Sequence, residues 1–406
     1  MKKIFTLFIA ISTLVSSCKK NDEGNPVAPF VPVTKDCIPG SAGCTEIQVG
    51  GDAYANPASG IGAFSGYADP GLRKDPQSNT LYLTYSWPNF RIAGGNQVGA
   101  VDIHLAKSTD GGNTWSFIKN LWPSVLMNNP ANPTQPGVMN VETSNLLPVD
   151  EGGIVIWYAA SFNYFVSNNG GGSDIAGNSF HIRVYKATSP DALTTAASSI
   201  IGTNTLNPAW GPFKNLSALN GSLTNLDFWC EPALYYENGK LYLVLVSFDY
   251  DNMGNPIMAN NAVHVFATTP TGDPSSWNWE YKGKLAGQAE ANELGAERLT
   301  QIDIAKSRDG KLLMIATPDD WNAAQKDYNH KGCKVVEIKF ISTPALERGA
   351  DGKLKIRASI TASDANSLGS AASTYDPASA TGILFTRRNK TATSFTINIW
   401  NTGVHP

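Results

Sequence analysis

Short apolar or alternating runs recur along the chain at intervals that indicate a repeated unit. Five of them begin at positions 81, 154, 241, 312 and 383, so their starts lie 73, 87, 71 and 71 residues apart. Most follow a turn such as Glu237-Asn-Gly-Lys240, which is typical of a hairpin. A second class of strands follows the first four, at 102–108, 181–188, 263–268 and 333–338. No long segment between them has helical periodicity.

This repeat predicts an all-β chain, and specifically a five-bladed β-propeller whose blades carry long loops on one face. The fifth unit has little chain left, because its strand at 394–400 lies almost at the end of the sequence. We expect a strand near Glu46–Val49 to complete that blade, since closing the ring removes exposed strand edges.

The N-terminus is typical of a targeting signal. Two lysines precede an apolar stretch from Ile4 to Val15, which is too short to span a bilayer and suits a signal peptide. The small residues before Cys18 resemble the bacterial lipobox, which implies a signal peptide at 1–17 and lipidation of Cys18. An ordinary signal peptide ending near a cysteine is the alternative.

The residues after Cys18 are lysines and acids followed by a Gly/Pro-rich stretch, which is typical of a flexible tether. Charged residues here resemble the surface-export signals of Bacteroidetes lipoproteins. We therefore predict a tether at 18–45 and a β-propeller catalytic domain at 46–406, anchored by lipid at the outer membrane or cell surface.

The composition excludes several classes of protein. With 42% hydrophobic and 16% charged residues, the chain is too apolar for disorder and unlike a long-helix protein. A net charge of −3 without a basic tract argues against nucleic acid as a partner. We expect a monomer with a carbohydrate partner.

Four cysteines remain after Cys18. Cys37 and Cys44 enclose six residues, and an export compartment favours a disulfide between them. Whether Cys230 and Cys333 pair is left open by the sequence. No Cys/His spacing indicates zinc, so no metal ligand is predicted.

One segment carries a specific motif. Ser108-Thr-Asp110-Gly-Gly112-Asn-Thr114-Trp115 matches the Asp box, S-x-D-x-G-x-T-W, at every fixed position. The segment thus resembles the Asp box of sialidase-like propellers, which forms a structural turn between the outer strands of a blade. It supports the fold and implies no catalytic role.

An acidic residue precedes each of the five hairpins. These residues are Asp69, Glu142, Glu231, Asp303 and Asp376. Equivalent positions in neighbouring blades converge on the axis, and mutual repulsion there would raise at least one carboxyl pKa. A protonated acid beside an ionised carboxylate is the arrangement that hydrolyses a glycosidic bond. A calcium ion on the axis would be compatible with these carboxylates, but no ligand spacing requires one.

Two stretches resemble five-bladed glycosidases of the arabinanase/xylosidase type. They are Ala68-Asp69-Pro70 before a Leu-Tyr-Leu strand, and Glu231-Pro-Ala-Leu followed by a hairpin. The resemblance implies that Asp69 is the general base and Glu231 the general acid, and that the reaction inverts the anomeric configuration. The family's third carboxylate is an Asp that tunes the acid; this chain has Glu142 at that place, without the following Pro.

Other residues are candidates for binding the sugar. Carboxylates hold hydroxyl groups and aromatic rings stack on sugar faces. The candidates are Arg73, Trp87, Arg298, Asp303, Tyr375 and Asp376. For each, a turn, packing or ion-pair role is the alternative.

Four other functions fit parts of the pattern. A sialidase would use three arginines, drawn from Arg73, Arg298 and Arg387 or Arg388, with Tyr375 as nucleophile; Phe90-Arg-Ile-Ala93 resembles that family's signature. A polysaccharide lyase would require a Tyr or His base beside a neutralised uronate. A non-catalytic glycan-binding lipoprotein would need an aromatic platform without paired carboxylates, and a protein-interaction scaffold a broad apolar face.

Overall fold

The computed structural model describes most of the chain from residue 31 onward. The described residues are 31–52, 63–130, 132–168, 180–202, 213–224, 226, 228–251, 253–324, 327–364, 367–390 and 394–406. The predicted signal peptide, Cys18 and the first part of the predicted tether lie outside them. Residues Pro32–Pro406 form one compact unit.

The chain is all-β, as the periodicity predicts, and its strands form five antiparallel units. In unit 1 the strands are β5 (Ala68–Lys74), β6 (Leu81–Ala93), β7 (Asn96–Ser108) and β8 (Trp115–Trp122). In unit 2 they are β10 (Asn132–Asp150), β11 (Val155–Ser167), β12 (Phe180–Ala187) and β13 (Ser198–Gly202). In unit 3 they are β15 (Phe228–Glu237), β16 (Lys240–Phe248), β17 (Ala262–Thr268) and β18 (Glu280–Ala286).

Units 4 and 5 belong to one continuous sheet. Unit 4 contains β19 (Arg298–Lys306), β20 (Leu312–Asn322), β22 (Cys333–Phe340) and β24 (Ile356–Thr361). Unit 5 contains β25 (Ser367–Thr374), β26 (Leu384–Lys390), β27 (Ser394–Asn401) and β2 (Thr45–Glu46). The two are joined by β21 (Asp327–Lys331), which pairs with β20 and, in parallel, with β25.

Short strands and turns complete these sheets. The additional strands are β1 (Val33–Asp36), β3 (Val49–Gly50), β4 (Ala63–Gly66), β9 (Val125–Asn129), β14 (Phe213–Asn215) and β23 (Ala345–Leu346). Helical segments are α1 (Gln288–Glu293) and the 3-10 turns Asp191–Thr195, Leu216–Ala218, Gly221–Leu223, Met258–Asn260 and Pro274–Ser276. None of the helices described here is long and apolar enough to cross a membrane.

The five units are arranged in a closed ring. The first strand of each unit, β5, β10, β15, β19 and β25, contacts the first strand of the next, and β25 returns to β5. Apolar side chains fill the spaces between adjacent sheets, with Trp229, Tyr158 and Phe266 buried between units 2, 3 and 4. All five first strands therefore line the centre of the ring.

The N-terminal segment closes the ring, as predicted. Thr45 and Glu46 pair antiparallel with Asn401 and Trp400 of β27, and the amide of Ile47 donates to Ile399 at 2.8 Å. The last strand of unit 5 therefore comes from the start of the described chain, and a sheet edge that would otherwise be open is covered.

The predicted tether ends earlier than residue 45. Val33–Asp36 forms β1, which pairs in parallel with β24, and Cys37 and Cys44 are joined by a disulfide with Cα atoms 5.5 Å apart. The pairing satisfies backbone groups at the outer edge of unit 4, which explains why these residues pack on the sheet. Cys230 and Cys333, whose pairing the sequence left open, are buried free thiols.

The turn at Ser108–Trp115 connects β7 to β8. Asp110 accepts hydrogen bonds from the backbone amides of Asn113 and Thr114 and from the Thr114 hydroxyl. The indole of Trp115 donates to the Gly112 carbonyl at 3.1 Å. These bonds hold the turn at the outer side of unit 1, away from the centre of the ring.

Candidate active site

The first strand of every unit contains an irregularity at the same place. The pairing between first and second strands shifts register there in all five units. One non-glycine residue at each shift has left-handed backbone geometry, with φ from +45° to +54°: Asp69, Thr143, Glu231, Gln301 and Ala372. Such bulges redirect a side chain and concentrate at functional sites.

The shared bulge position shows which of the five predicted acids are structurally equivalent. The sequence places Asp69, Glu142, Glu231, Asp303 and Asp376 at corresponding positions, but the structure does so only for Asp69 and Glu231. Glu142 immediately precedes the bulge residue Thr143, whereas Asp303 and Asp376 lie two and four positions beyond theirs. Because side chains alternate along a strand, counting to the next hairpin could not distinguish these placements.

The bulges surround a small recess at the centre of the ring. A cavity of ≈ 30 Å³ is lined by residues from all five first strands, including Asp69, Ser144, Glu231, Gln301 and Ser373. That volume has room for about two water molecules. Asp69 and Glu231 line this cavity, and Glu142 is next to its lining residue Thr143. All three acids are only partly buried.

The charges of Asp69, Glu142 and Glu231 act on one another, and we call these three acids the carboxylate triad. Burial is the largest cause of a raised pKa in each. The charge of Asp69 further raises the pKa of Glu142, to about 8 in total, and the charges of both raise that of Glu231 well above its ordinary value. Repulsion prevents the three from all being ionised at neutral pH.

The surroundings of Asp69 favour its ionised form most. The Ser86 hydroxyl donates a hydrogen bond to it, and the charges of Arg388 and His330 oppose the increase in its pKa caused by burial. Ser86 Oγ in turn accepts the Thr143 amide at 3.2 Å. Asp69 is therefore the member of the triad best placed to hold the negative charge.

The surroundings of Glu231 favour its protonated form. Besides the other two carboxylates, the charge of Asp319 raises its pKa, and only Arg298 opposes them. Glu142 lies between these extremes, since Tyr164 donates a hydrogen bond to it and Arg388 also lowers its pKa. The surroundings thus favour the anion at Asp69 and the protonated acid at Glu231.

Asp303 lines the cavity, but its side chain and that of Arg73 are held by each other and are not free to bind a sugar. Their side chains form a buried ion pair, with Nη2 2.6 Å from Oδ1. Asp303 also accepts hydrogen bonds from Asn145 at 2.8 Å and from Thr374 at 2.7 Å. These contacts occupy the groups that the sequence analysis assigned to the substrate.

Three further predicted binding residues also make contacts within the fold: Asp376, Tyr375 and Trp87. Asp376 accepts hydrogen bonds from the amides of Lys74 and Ala378, at 2.9 and 2.8 Å. Tyr375 is fully buried in the apolar cluster of units 4 and 5. Trp87 stacks on His104 within unit 1, with ring centroids 4.5 Å apart. The sequence pattern did not indicate how deeply these side chains are buried.

Of the six predicted binding residues, Arg298 is the one whose charge acts on the triad. It belongs to the strand before the unit 4 bulge and is 3% exposed. Nη2 lies 3.5 Å from Asp319, and Asp319 accepts Nδ1 of His330 at 2.5 Å. This series of interactions links Glu231 to the β20–β21 hairpin.

Several residues of the site were not predicted. Ser86, Tyr164, Asp319 and His330 lie on second strands or on the β20–β21 hairpin, and Arg388 was considered only as a sialidase cation. Polar residues at the upper ends of the second strands would have been a signal, had the bulge positions been known. Among the described residues, no group of three or more His, Cys, Asp and Glu side chains is arranged to hold a metal ion.

Neither a family model nor a curated protein sequence matches the chain. Solved structures with a similar arrangement of strands include an exo-1,5-α-L-arabinanase from a bovine ruminal metagenomic library (14% identity, TM-score 0.45, 82% of this chain and 92% of the other). Another is the catalytic domain of a Coprinopsis cinerea α-L-arabinofuranosidase (8%, 0.42, 86% and 96%). A third is a Cellvibrio cellulosa α-L-arabinanase (14%, 0.36, 71% and 76%). At these TM-scores, a functional assignment has to come from the residues of the site.

Proposed function

We propose that the five units are the blades of a five-bladed β-propeller that hydrolyses glycosidic bonds of an oligo- or polysaccharide. The observation that carries this proposal is the carboxylate triad, in which one carboxyl is favoured as an anion and another as an acid. Glycoside hydrolysis requires this pair.

In this mechanism Asp69 is the general base and Glu231 the general acid. Asp69 removes a proton from a water molecule, whose oxygen bonds to the anomeric carbon as the glycosidic bond breaks. Glu231 transfers its proton to the departing oxygen, so the reaction consumes one water and leaves two sugar hydroxyls. Glu142 raises the pKa of Glu231 by its charge and so helps to keep the acid protonated.

Inversion at the anomeric carbon is part of the proposal and is supported by the resemblance at Asp69 and Glu231. It requires room for a water molecule between the sugar and the base. Proton NMR of the product during the first minutes of reaction would identify the anomer. A first-formed product with the substrate's configuration would contradict inversion and leave hydrolysis itself in place.

The direct test is a screen of the purified protein for released reducing sugar on arabinan, xylan, fructan, uronate-containing and sialylated glycans. We expect Asp69→Asn and Glu231→Gln to abolish release, with unchanged circular dichroism. Asp376→Asn is the matched control, because this carboxylate caps backbone amides outside the recess and its loss should leave release detectable.

The outcomes separate the alternatives. Release of sialic acid alone would favour the sialidase, although Arg73 and Tyr375 are held elsewhere and Arg91 forms an ion pair with Asp102 at 2.9 Å. Products with an unsaturated uronate would favour the lyase. Retention on one glycan in affinity electrophoresis without release would favour the glycan-binding lipoprotein.

We also propose that the protein is a monomer anchored by lipid at the cell surface. The lipid anchor is supported by the resemblance of the residues around Cys18 to a lipobox. Labelling cells with an alkynyl palmitate analogue should mark the wild type and not Cys18→Ala, and external protease should digest it on intact cells. Light scattering of the detergent-solubilised protein would give its oligomeric state.

A further inference from the structure

Three aromatic side chains form a cluster at the ends of units 3 and 4, and we call it the aromatic rim. Tyr250 follows β16, while Trp321 and Tyr328 pair across the β20–β21 hairpin. The hydroxyls of Tyr250 and Tyr328 are 3.1 Å apart. The rings of Trp321 and Tyr328 have centroids 4.7 Å apart, inclined at 57°.

The rim stands at the same end of the ring as the carboxylate triad. The unit 4 bulge lies between the pairs Thr300–Thr317 and Asp303–Ile315. Strand β20 continues beyond Thr317 to Asn322 before the chain returns in β21, so the hairpin extends past the bulge. Tyr250 lies at this end for the same reason. Strand β16 continues past the unit 3 bulge to Phe248, and Tyr250 follows two residues later.

Arg298 connects the rim to Glu231. Its guanidinium carbon lies 3.0 Å from the ring centroid of Tyr328 and 4.2 Å from that of Phe248, and its charge lowers the pKa of Glu231. Arg298 Nε and Nη1 and Trp321 Nε1 are buried donors without a hydrogen-bond partner among the described residues. Arg298, whose charge acts on Glu231, therefore lies directly against the aromatic side chains of the rim.

The rim is open to solvent. Tyr250 is 42% exposed, Trp321 and Tyr328 are partly exposed, and Met253 and Ile257 add exposed apolar surface beside Tyr250. Aromatic rings that carry polar atoms match a sugar, whose C–H faces stack while its hydroxyls accept or donate hydrogen bonds. This chemistry favours a carbohydrate over a purely apolar ligand.

We propose that the aromatic rim binds the sugar on the leaving-group side of the cleaved bond. The inference rests on the proposed function: the group that accepts the proton of Glu231 belongs to the leaving sugar, and the rim is reached from Glu231 through Arg298. It follows that the substrate is a chain with at least one sugar beyond the cleaved bond, in preference to a glycoside of a small alcohol.

The test compares two substrates of the same sugar, namely the glycan that the wild type cleaves and the corresponding glycosyl fluoride. Fluoride places no sugar against the rim. Loss of one stacking contact in Trp321→Ala or Tyr250→Ala should lower kcat/KM on the glycan by about three- to tenfold relative to the fluoride. Phe340→Ala is the matched control, because Phe340 is an exposed aromatic residue at the far end of β22 and should change neither value.

Equal losses on glycan and fluoride in the rim variants would overturn the assignment, since they would indicate an effect on the fold or on the catalytic groups. Affinity electrophoresis of Glu231→Gln in arabinan, xylan or fructan gels gives a second measurement. Reduced retention when Trp321→Ala is added supports the rim, and unchanged retention overturns it. If the wild type cleaves no glycan, the proposed function fails and the leaving-group assignment fails with it, whereas cleavage with unaffected rim variants refutes only the rim.

Discussion

Arg73 and Asp303 form a buried ion pair although they belong to units 1 and 4, which are not neighbours in the ring. Their contacts extend to the other three units: Asp303 accepts from Asn145 and Thr374, and Asn145 Oδ1 accepts the Leu234 amide at 3.1 Å. One polar network therefore ties all five first strands together, and its members Asp303 and Asn145 line the recess.

Breaking this pair should destabilise the protein strongly. Arg73→Met leaves the buried Asp303 carboxylate without its cation, and losing one partner of such a pair costs about 3–5 kcal/mol. Chemical denaturation should show this decrease in the free energy of unfolding. Adding Asp303→Asn should cost less than the sum of the two single changes. Strict additivity would contradict the coupling of the two residues.

Glu142→Gln should shift the alkaline limb of the pH–rate profile to lower pH. The charge of Glu142 raises the pKa of Glu231, so an uncharged amide lets Glu231 lose its proton at lower pH. The measurement is kcat/KM against pH, which reports the free enzyme. If the alkaline limb stays at the same pH, Glu142 does not raise the pKa of Glu231.

Arg388→Met should shift the acidic limb to higher pH. The charge of Arg388 lowers the pKa of Asp69 and of Glu142, so its loss lets Asp69 take up a proton at higher pH and disables the base earlier on acidification. The same profile measures it. Lys339→Met, on unit 4 at the outer strand β22, serves as a cation control and should leave the limb unchanged.

Ile47→Ala should destabilise the whole ring, although Ile47 lies near the start of the described chain. It is 3% exposed and packs with Leu83, Leu384 and Ile399. Truncating a buried Ile costs about 2–5 kcal/mol, whereas Ile92→Ala, at 62% exposure, should change stability by less than about 0.5 kcal/mol. Similar values for both would show that the N-terminal strand is not part of the cooperative fold.

The strands could be predicted from the sequence because each hairpin carries its own apolar pattern and turn. Counting strands in the last unit predicts a completing strand near Glu46–Val49, and the structure has it at Thr45–Glu46. The resemblance predicts Asp69 and Glu231 as the catalytic pair, and the structure places them at equivalent bulge positions in units 1 and 3.

The depth and partners of polar side chains were not readable in the same way. Asp303 and Asp376 have the same residue type and similar spacing as Asp69, yet one lies in an ion pair and the other caps amides. A bulge changes which side chain faces the axis without changing composition. The contacts of Arg298 with Tyr328, and of Ser86 with Asp69, join segments that are distant in sequence and have no local pattern.

The repeated bulges have a consequence for variants of the site. Thr143, Gln301 and Ala372 have the same left-handed backbone as Asp69 and Glu231, so this geometry is imposed by the ring and does not depend on a carboxyl group. Replacing either acid by its amide should leave the backbone of the recess in place. An amide variant would then present the recess in its native shape to an intact glycan, so it is the form in which to trap and visualise a bound substrate.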